Sequence, residues 1–384
     1  RSMVRSTSLI MVRSTRLITV RSTRLIGDLG RPTRRQTDAV GLLLLVLSLS
    51  WSELSAAHRP GSHPSNQTAL LLGGVACLLA GRMLASLSLL VTPVVIGVLA
   101  GSAVLLGHDA LQSDPLAGPL GYGNADGALA AQSCAALCLA AVTARVRAVR
   151  AGLLAAAGGM LAVTALTGSK SATALAALCI TVTVTALLRP LSARNGRRLA
   201  AAAAALLGLA VTVTVVLGAT YDGTDDSSTE ARAVEATLTS RRPAFWHEAL
   251  EQARQHPLLG VGPDLFQRVS PMALADPLDD RWAHSGYLQQ AAETGVPGGV
   301  LAVALGMWGF VMLSRSPRSG SVIAVGAAGL ASLTIQAAQD YTLHFAAVPL
   351  VAAALLGVAT AVAPSRRLLP PRPGRPAWSH ALQT

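Results

Sequence analysis

The chain has 384 residues, of which 52% are hydrophobic and only 13% are charged, and its mean hydropathy is +0.50. Soluble domains carry about 25% charged residues, so this composition excludes a single water-soluble core as well as disorder, collagen or a disulfide scaffold. The formal net charge is +12, but the basic residues are spread along the chain and all except Lys170 are arginines. We therefore expect a polytopic membrane protein whose partner is the lipid bilayer and not a nucleic acid.

The first 38 residues precede any apolar segment. They contain an eight-residue repeat that begins at Val4, Val12 and Val20. A period of eight fits neither a helix nor a strand. We expect residues 1–38 to be a disordered basic tail without chemistry, and a basic segment on the membrane surface is the alternative.

Ten apolar segments follow the tail, and most approach the roughly 20 residues that a helix needs to cross a bilayer. They are predicted at 39–55, 66–81, 83–107, 127–144, 151–168, 171–188, 199–219, 294–313, 320–339 and 346–363. None alternates as a strand would. All four cysteines lie inside these segments, without metal-ligand spacing or a disulfide framework. The sequence thus predicts an all-α polytopic membrane protein with about ten transmembrane helices, seven within 39–219 and three within 294–363.

Charged residues in the connecting loops alternate in sign along the chain. One set of loops holds 14 arginines and no acid. The other set holds 17 of the 19 acidic residues, the remaining two being Asp28 and Asp38 in the tail. The positive-inside rule makes the arginine loops cytoplasmic. Both termini, including a basic tail at 364–384, are then cytoplasmic, and a large loop at 220–293 is extracytoplasmic.

This loop is far longer than a simple connection and has helical periodicity. An amphipathic helix is predicted between Pro243 and His256, and its apolar face holds Phe245, Trp246, Ala249, Leu250 and Ala253. A turn follows at 260–263, then a short helix at 265–269. A further helix starts near His284 and enters the eighth membrane segment past Gly295. The apolar spacing indicates that the loop lies on the bilayer surface and covers the helix bundle.

Rare polar side chains gather at the helix ends on the predicted outer side. They are Lys170, Arg241, Arg242, His284, Asp340, Tyr341 and His344. Arginine offers a planar fork for phosphate oxygens, and histidine can accept a proton near neutral pH. The combination indicates an anionic, phosphate-bearing lipid substrate. Each group also has a structural interpretation: Lys170 can snorkel to the headgroups, Arg242 can pair with a loop acid, and the others can be solvated or end a helix.

Two stretches of the loop carry a more specific pattern, SRRPAFWHEALEQARQHPLLGVGPDLF (240–266) and AHSGYLQQAAETGVPGG (283–299). Both resemble the O-antigen ligase and polymerase family of bacterial membrane glycosyltransferases. The matching residues are Arg242, Trp246, Pro257, Gly260, Gly262, Phe266, His284, Tyr287, Leu288, Glu293 and Gly295. Ser285 replaces the family's usual asparagine. Looser matches contain Asn124 (118–130), Lys170 where arginine is usual (167–178), and Asp340 (339–345).

The resemblance implies a GT-C-like fold and transfer of a glycan from an undecaprenyl-diphosphate-linked donor at the outer face of the cytoplasmic membrane. The acceptor is a hydroxyl of a glycan, a lipid or a protein. The implied reaction is inverting and needs no metal or other cofactor. His284 is implied as the catalytic base, and Arg242 as the catalytic residue that neutralises the diphosphate. Residues expected to bind substrate are Lys170, Arg241, Asn124, Tyr287 and Asp340.

The resemblance does not separate a ligase from a polymerase or a protein O-glycosyltransferase. A transporter or permease is the main alternative function, but the helix interiors hold almost no charges and show no internal repeat. A structural or regulatory membrane protein is a third. The adjacent Asp279 and Asp280, a conceivable metal site, are interpreted as solvated loop.

Overall fold

A computed structural model describes residues 34–107, 119–221, 241–275 and 281–362. The N-terminal repeat, Asp279, Asp280 and the C-terminal tail lie outside these ranges. Regular structure within them is helical. The helices are α1 (Arg34–Ala57), α2 (Ser65–Leu87), α3 (Val91–Leu106), α4 (Gly123–Thr143), α5 (Arg147–Leu166), α6 (Lys170–Leu188), α7 (Ala193–Thr220), α8 (Arg242–Gln255), α9 (Phe266–Val269), α10 (Pro271–Ala275), α11 (Gly286–Ser314), α12 (Gly320–Gln339), a 3-10 helix (Thr342–His344) and α13 (Ala347–Thr360).

Each of the ten predicted membrane segments coincides with a helix. Among the described residues, eight helices are long and apolar enough to cross a membrane, namely α1, α2, α4, α5, α6, α7, α11 and α12. The other two, α3 and α13, are apolar but have only 16 and 14 residues. The prediction of an all-α polytopic membrane protein is confirmed.

Two predicted boundaries are wrong. Helix α2 continues to Leu87 and α3 begins only at Val91, so residues 83–87 belong to the second segment and not to the third. Helix α1 begins at Arg34, so residues 34–38 are its first turn and not part of the tail. Asp38 explains the second difference, because both of its carboxylate oxygens accept hydrogen bonds from Arg82, at 3.2 and 2.9 Å.

The centre of the bundle consists of α4 and α12. Every residue of α4 from Ala125 to Ala141 is buried. Most are alanine, glycine, serine or cysteine, and such small residues let helices approach closely in a bilayer, where van der Waals packing drives association. Gln132 of α4 donates a hydrogen bond of 3.2 Å to the Gly329 carbonyl of α12. Helices α3, α5, α6 and α13 pack around α4, while α7 and α11 pack around α12.

The long loop folds onto one end of this bundle. Helix α8 buries Ala244, Phe245, Trp246, Ala249 and Ala253, which is the face predicted from the sequence except that Leu250 is only half-buried. It packs against α7 and α11. Phe266, Ala273, Leu288 and Ala292 complete its apolar cluster. The predicted helices around 243–255 and 265–269 are therefore confirmed. The helix predicted from near His284 past Gly295 is present, but it is broken at Gly295.

The predicted arginine loops meet at the other end. There Arg82 of α2 donates hydrogen bonds to Asp38 of α1 and, at 3.2 Å, to Thr360 of α13. Arg315, after α11, donates one of 2.8 Å to Thr37. The two ends of the bundle thus differ in chemistry as the loop pattern predicts, and which end faces the cytoplasm stays a prediction.

Candidate active site

The carboxylate of Asp340 is the centre of a polar cluster at the end of the bundle that carries the long loop. Asp340 follows the last residue of α12 and is only 4% exposed. The Tyr122 hydroxyl lies 3.0 and 2.9 Å from its two oxygens. Asn124 donates a hydrogen bond of 2.7 Å and Arg242 one of 3.0 Å, both to Oδ2. The backbone N–H of Tyr341 donates to Oδ1 at 2.8 Å.

His284 lies on the Oδ1 side of this carboxylate. Its Nδ1 is 3.6 Å from Oδ1, and the side chain is buried. The imidazole ring sits between the Phe245 ring, at 5.5 Å, and the edge of the Tyr341 ring, at 5.1 Å. The backbone of His284 is left-handed, with φ of 48°. The residue is thus held in an unusual conformation with Nδ1 turned toward Asp340.

One face of α8 positions both partners of Asp340. Residues four apart on a helix lie one above the other, so Arg242 and Trp246 point to the same side. Arg242 bonds the Asp340 carboxylate, and Trp246 Nε1 donates a hydrogen bond of 2.8 Å to the His284 carbonyl oxygen. The four-residue spacing between Arg242 and Trp246 therefore places both side chains on the face of α8 that contacts Asp340 and His284.

The segment after His284 is fixed to the same cluster. Ser285 is the N-cap of α11, and its side chain accepts a hydrogen bond from the Leu288 N–H. Serine and asparagine are both strong N-caps, so the departure from the family's asparagine preserves the cap. The Gly286 N–H donates to the Asp340 carbonyl oxygen at 3.1 Å. His284 and Asp340 are therefore tied together through backbone as well as side chains.

A break in α11 at Gly295 joins the loop to the membrane helix. Gly295 has φ of 76° and ψ of 175°, outside helical values. The Val296 N–H donates to the Pro257 carbonyl oxygen at 2.9 Å, and the Gly262 N–H donates to that of Glu293 at 2.8 Å. The predicted turn at 260–263 thus packs directly on this break. Trp51 of α1 also bonds it, donating to the Thr294 carbonyl oxygen at 2.8 Å.

The surroundings of Asp340 keep it ionised. Burial alone would raise its pKa, but the neighbouring His284 imidazole and the Arg242 guanidinium outweigh burial and lower the pKa below its ordinary value. Burial, followed by the charge of Asp340, raises the pKa of Tyr122. Tyr122 therefore stays protonated and acts as a hydrogen-bond donor to a permanent anion.

Four of the seven residues predicted for the site come together, namely Asn124, Arg242, His284 and Asp340. The partner of Arg242 is Asp340 and not an acid of the long loop. Arg241 is exposed, and its guanidinium carbon lies 6.0 Å from the centre of the Phe245 ring.

The other two predicted residues lie apart from Asp340. Lys170 is exposed at the start of α6. That end of α6 packs near Gly127, one turn along α4 from Asn124. Tyr287 is buried inside the bundle, and its hydroxyl lies 3.4 Å from the Thr334 carbonyl oxygen. The structure thus brings Lys170 to the same end of the bundle and turns Tyr287 away from the cluster.

Two members of the cluster were given no role from the sequence: Tyr122 was not named, and Tyr341 was named only among the outer polar side chains. Tyr122 lies two positions before Asn124, in the same Gly/Asn stretch, and Tyr341 follows Asp340 directly. Their rings stack with centres 4.6 Å apart. The chain has only four tyrosines, and two of them lie next to or near the predicted site residues Asn124 and Asp340. This proximity could have identified them from the sequence. Within the described ranges, no group of three or more His, Cys, Asp or Glu side chains has the arrangement of a metal site.

Comparison with protein families gives a match to the family described as O-antigen ligase, over residues 155–303. This part of the chain is similar to an O-antigen ligase domain. The family resemblance of the sequence is thus confirmed, and with it a general function in glycan transfer by a multi-pass membrane protein. The O-antigen ligase match includes Lys170, Arg242 and His284, whereas Asn124 and Asp340 lie outside it and join the cluster through the fold. Comparison with curated proteins gives no match.

Proposed function

We propose that the protein transfers or polymerises a glycan from an undecaprenyl-diphosphate-linked donor to an acceptor hydroxyl at the outer face of the cytoplasmic membrane. It acts there as a surface polysaccharide ligase or polymerase. The observation that carries the proposal is the sharing of one buried carboxylate, Asp340, by Arg242 and His284. A cation and a base at one helix end match the two demands of this reaction, a negatively charged leaving group and a weak hydroxyl nucleophile.

His284 is the general base of the proposed reaction. Because Nδ1 faces Asp340, Nε2 is the nitrogen that accepts the proton of the acceptor hydroxyl. The hydroxyl oxygen attacks the anomeric carbon while the bond from that carbon to the diphosphate oxygen breaks. The proton passes to Nε2, and the lipid diphosphate leaves from the opposite face with inversion. Asp340 stabilises the imidazolium that forms, as a carboxylate does beside a catalytic histidine in other enzymes.

Arg242 stabilises the leaving diphosphate. Its side chain is 17% exposed, and one Nη2 hydrogen bond to Asp340 leaves other N–H groups of the guanidinium for phosphate oxygens. Arg241, the preceding residue, is exposed and adds positive charge for binding. Lys170 adds a further charge as a point cation, which fits a phosphate without the bidentate geometry of arginine. The transfer requires no metal in this scheme.

The decisive experiment is glycan transfer by the purified protein with an undecaprenyl-diphosphate-linked oligosaccharide, followed on a gel. His284→Ala is expected to abolish product, and His284→Gln is expected not to restore it, because glutamine cannot accept a proton. His58→Ala is the matched control, since His58 is an exposed histidine that bonds only its own helix among the described residues. The control is expected to retain full activity.

Metal dependence is tested in the same assay. Activity is expected to survive EDTA. If EDTA abolished transfer and Mg²⁺ or Mn²⁺ restored it, the chemistry would move to carboxylates such as Asp279 and Asp280, and this mechanism would be overturned. Retention of activity by His284→Ala would overturn it equally.

A further inference from the structure

A large apolar groove lies beside the candidate active site. Its volume is about 830 Å³, and its walls come mainly from α1, α2, α11 and α13. It runs from Asp38 and Arg82 at the arginine end of the bundle to Glu293 and His344 at the end that carries the long loop. Leucine is the most frequent residue of the wall, and most of the lining surface is apolar. A groove of this length and polarity suits a hydrocarbon chain that lies parallel to the helices.

The mouth of the groove near the long loop is polar but carries no arginine or lysine among the described lining residues. Gln289 is its centre. The amide nitrogen of Gln289 donates hydrogen bonds to Glu293 at 3.0 Å and to Nε2 of His344 at 3.3 Å. Nε2 of His344 is then an acceptor, which leaves Nδ1–H as a donor. Within the described ranges no hydrogen bond from that Nδ1–H is found. His344 lines the groove, and its ring lies against that of Trp282, with 4.1 Å between the ring centres.

The lining of this mouth is not the kind that binds a diphosphate. Glu293, Asp264 and His63 line it, whereas phosphate groups are bound mainly by arginine and lysine. The protein atoms around His344 lower its pKa to about 4 even though part of the residue is exposed, so His344 is uncharged near neutral pH and adds no cation. A carboxyl group and a neutral imidazole are instead side chains that exchange hydrogen bonds with hydroxyl groups.

The mouth is also close to the proposed base. The His344 ring centre is 6.3 Å from that of Tyr341, which is 5.1 Å from the His284 ring. Gly286 lines the groove and bonds the Asp340 backbone. A sugar-sized head group held at the mouth therefore reaches toward His284 past one aromatic ring, whereas Arg242 lies on the far side of Asp340.

We propose that this groove binds the hydrocarbon chain of the acceptor, and that Glu293 and His344, which Gln289 holds in place, bind the hydroxyl groups of its uncharged head group. The acceptor is then a membrane lipid with a hydroxyl-rich, phosphate-free head, and neither a protein nor a second diphosphate lipid. This inference rests on the proposed function, because only a glycan transferase has an acceptor. The groove itself is tested by binding, which requires no turnover.

The test uses the full-length protein in phosphatidylcholine vesicles that contain diacylglycerol monoglucoside with a photoreactive diazirine in one acyl chain. Irradiation is expected to label peptides of α1, α2 and α11. Ala302→Trp places a large side chain in the groove wall and is expected to reduce labelling at least about fivefold. Val300→Trp is the matched control on the same helix, because Val300 is 60% exposed and does not line the groove. The control is expected to label normally.

Head-group selectivity is measured with the same photoreactive chain on phosphatidylglycerol. The monoglucoside is expected to label the protein more strongly than phosphatidylglycerol does. His344→Leu is expected to reduce labelling by the monoglucoside about three- to tenfold, which corresponds to the loss of one neutral hydrogen bond. Labelling by phosphatidylglycerol is expected to be unaffected. Equal labelling of both lipids, equal labelling of both tryptophan variants, or stronger competition by undecaprenyl diphosphate than by unlabelled monoglucoside would each overturn the proposal. A failed His284 experiment would change none of these readings, so the two failures are distinguishable.

Discussion

At the scale of single residues, one carboxylate satisfies donors from several distant parts of the chain. Tyr122, Asn124, Arg242 and the Tyr341 backbone all bond Asp340, and His284 faces it. A buried anion is tolerated only when such partners surround it. The site residues are therefore interdependent, and removing one changes the position and charge environment of the others.

Asp340→Asn tests this interdependence. It keeps the shape of the side chain but removes the charge that stabilises a protonated His284. We expect transfer to fall by about 10²- to 10⁴-fold, which is the range for loss of assisted proton transfer. Glu251→Gln is the matched control, because Glu251 pairs with Arg254 at an exposed site. A near-normal rate for Asp340→Asn would contradict the role of Asp340.

Acid stability supplies a second readout of the same variant. Because the pKa of Asp340 is lowered in the folded protein, its contribution to stability is present at neutral pH and is lost as pH falls through the folded pKa. The Asn variant is expected to be less stable than the unmodified chain at neutral pH and to lose less stability on acidification. Thermal unfolding in detergent at several pH values measures both.

The two adjacent arginines give a matched pair. Arg242→Ala removes a donor to the leaving diphosphate and is expected to lower transfer by about 10²- to 10³-fold. Arg241→Ala is expected to have a much smaller effect, because Arg241 is exposed and only Arg242 bonds Asp340. The assay is product formation at saturating donor, with membrane insertion checked by fractionation. Equal losses for the two variants would reject the assignment.

At the scale of secondary structure, the apolar periodicity of the sequence predicted the helices well. It did not predict all of their ends, because some of these depend on contacts between distant side chains. The apolar face of α8 and the turn at 260–263 both followed from spacing and from Pro and Gly. The start of α1 did not, because an ion pair between Asp38 and Arg82 extends it. The position of the break between α2 and α3 did not either, since the apolar sequence continues across it.

The site divides in the same way. Arg242 and His284 were recognisable from a local motif, because α8 and the start of α11 lie in one continuous stretch. Tyr122 and Asp340 are 218 positions apart, and their contact depends on how α4 and α12 pack. The sequence of one chain alone does not show how these two helices pack against each other. Tyr287, by contrast, was selected from its motif, but its position on α11 turns it into the bundle.

The break in α11 makes a prediction at this scale. At Gly295 a Cβ atom would overlap the Leu258 carbonyl oxygen, and φ is positive. Gly295→Ala is therefore expected to destabilise the protein by roughly 1–3 kcal/mol or more. Gly158→Ala is the control, since a Cβ at Gly158 meets open space within α5 and alanine is favoured in helices. Thermal unfolding in detergent compares them, and similar unfolding temperatures would show that the break is not required.

At the scale of the whole molecule, the sorting of acids and arginines to opposite ends predicts the orientation in the membrane. A cysteine introduced as Glu230→Cys, in a chain whose native cysteines are replaced by alanine, is expected to react with an impermeant maleimide in intact cells. Arg194→Cys, in an arginine loop, is expected to react only after lysis. The reverse pattern would invert the topology and remove the proposed site from the outer face.

The position of Asp340 near the end of the chain also has a consequence for biosynthesis. Helices of a membrane protein enter the bilayer in the order of their synthesis, and Tyr122, Asn124, Arg242 and His284 all precede Asp340. Until the ribosome has produced α12 and the residue after it, Asp340 cannot join these groups. The nascent chain therefore holds His284 and Arg242 without the carboxylate that both of them face. The order of translation thereby delays assembly of this polar cluster until most of the bundle is present to enclose it.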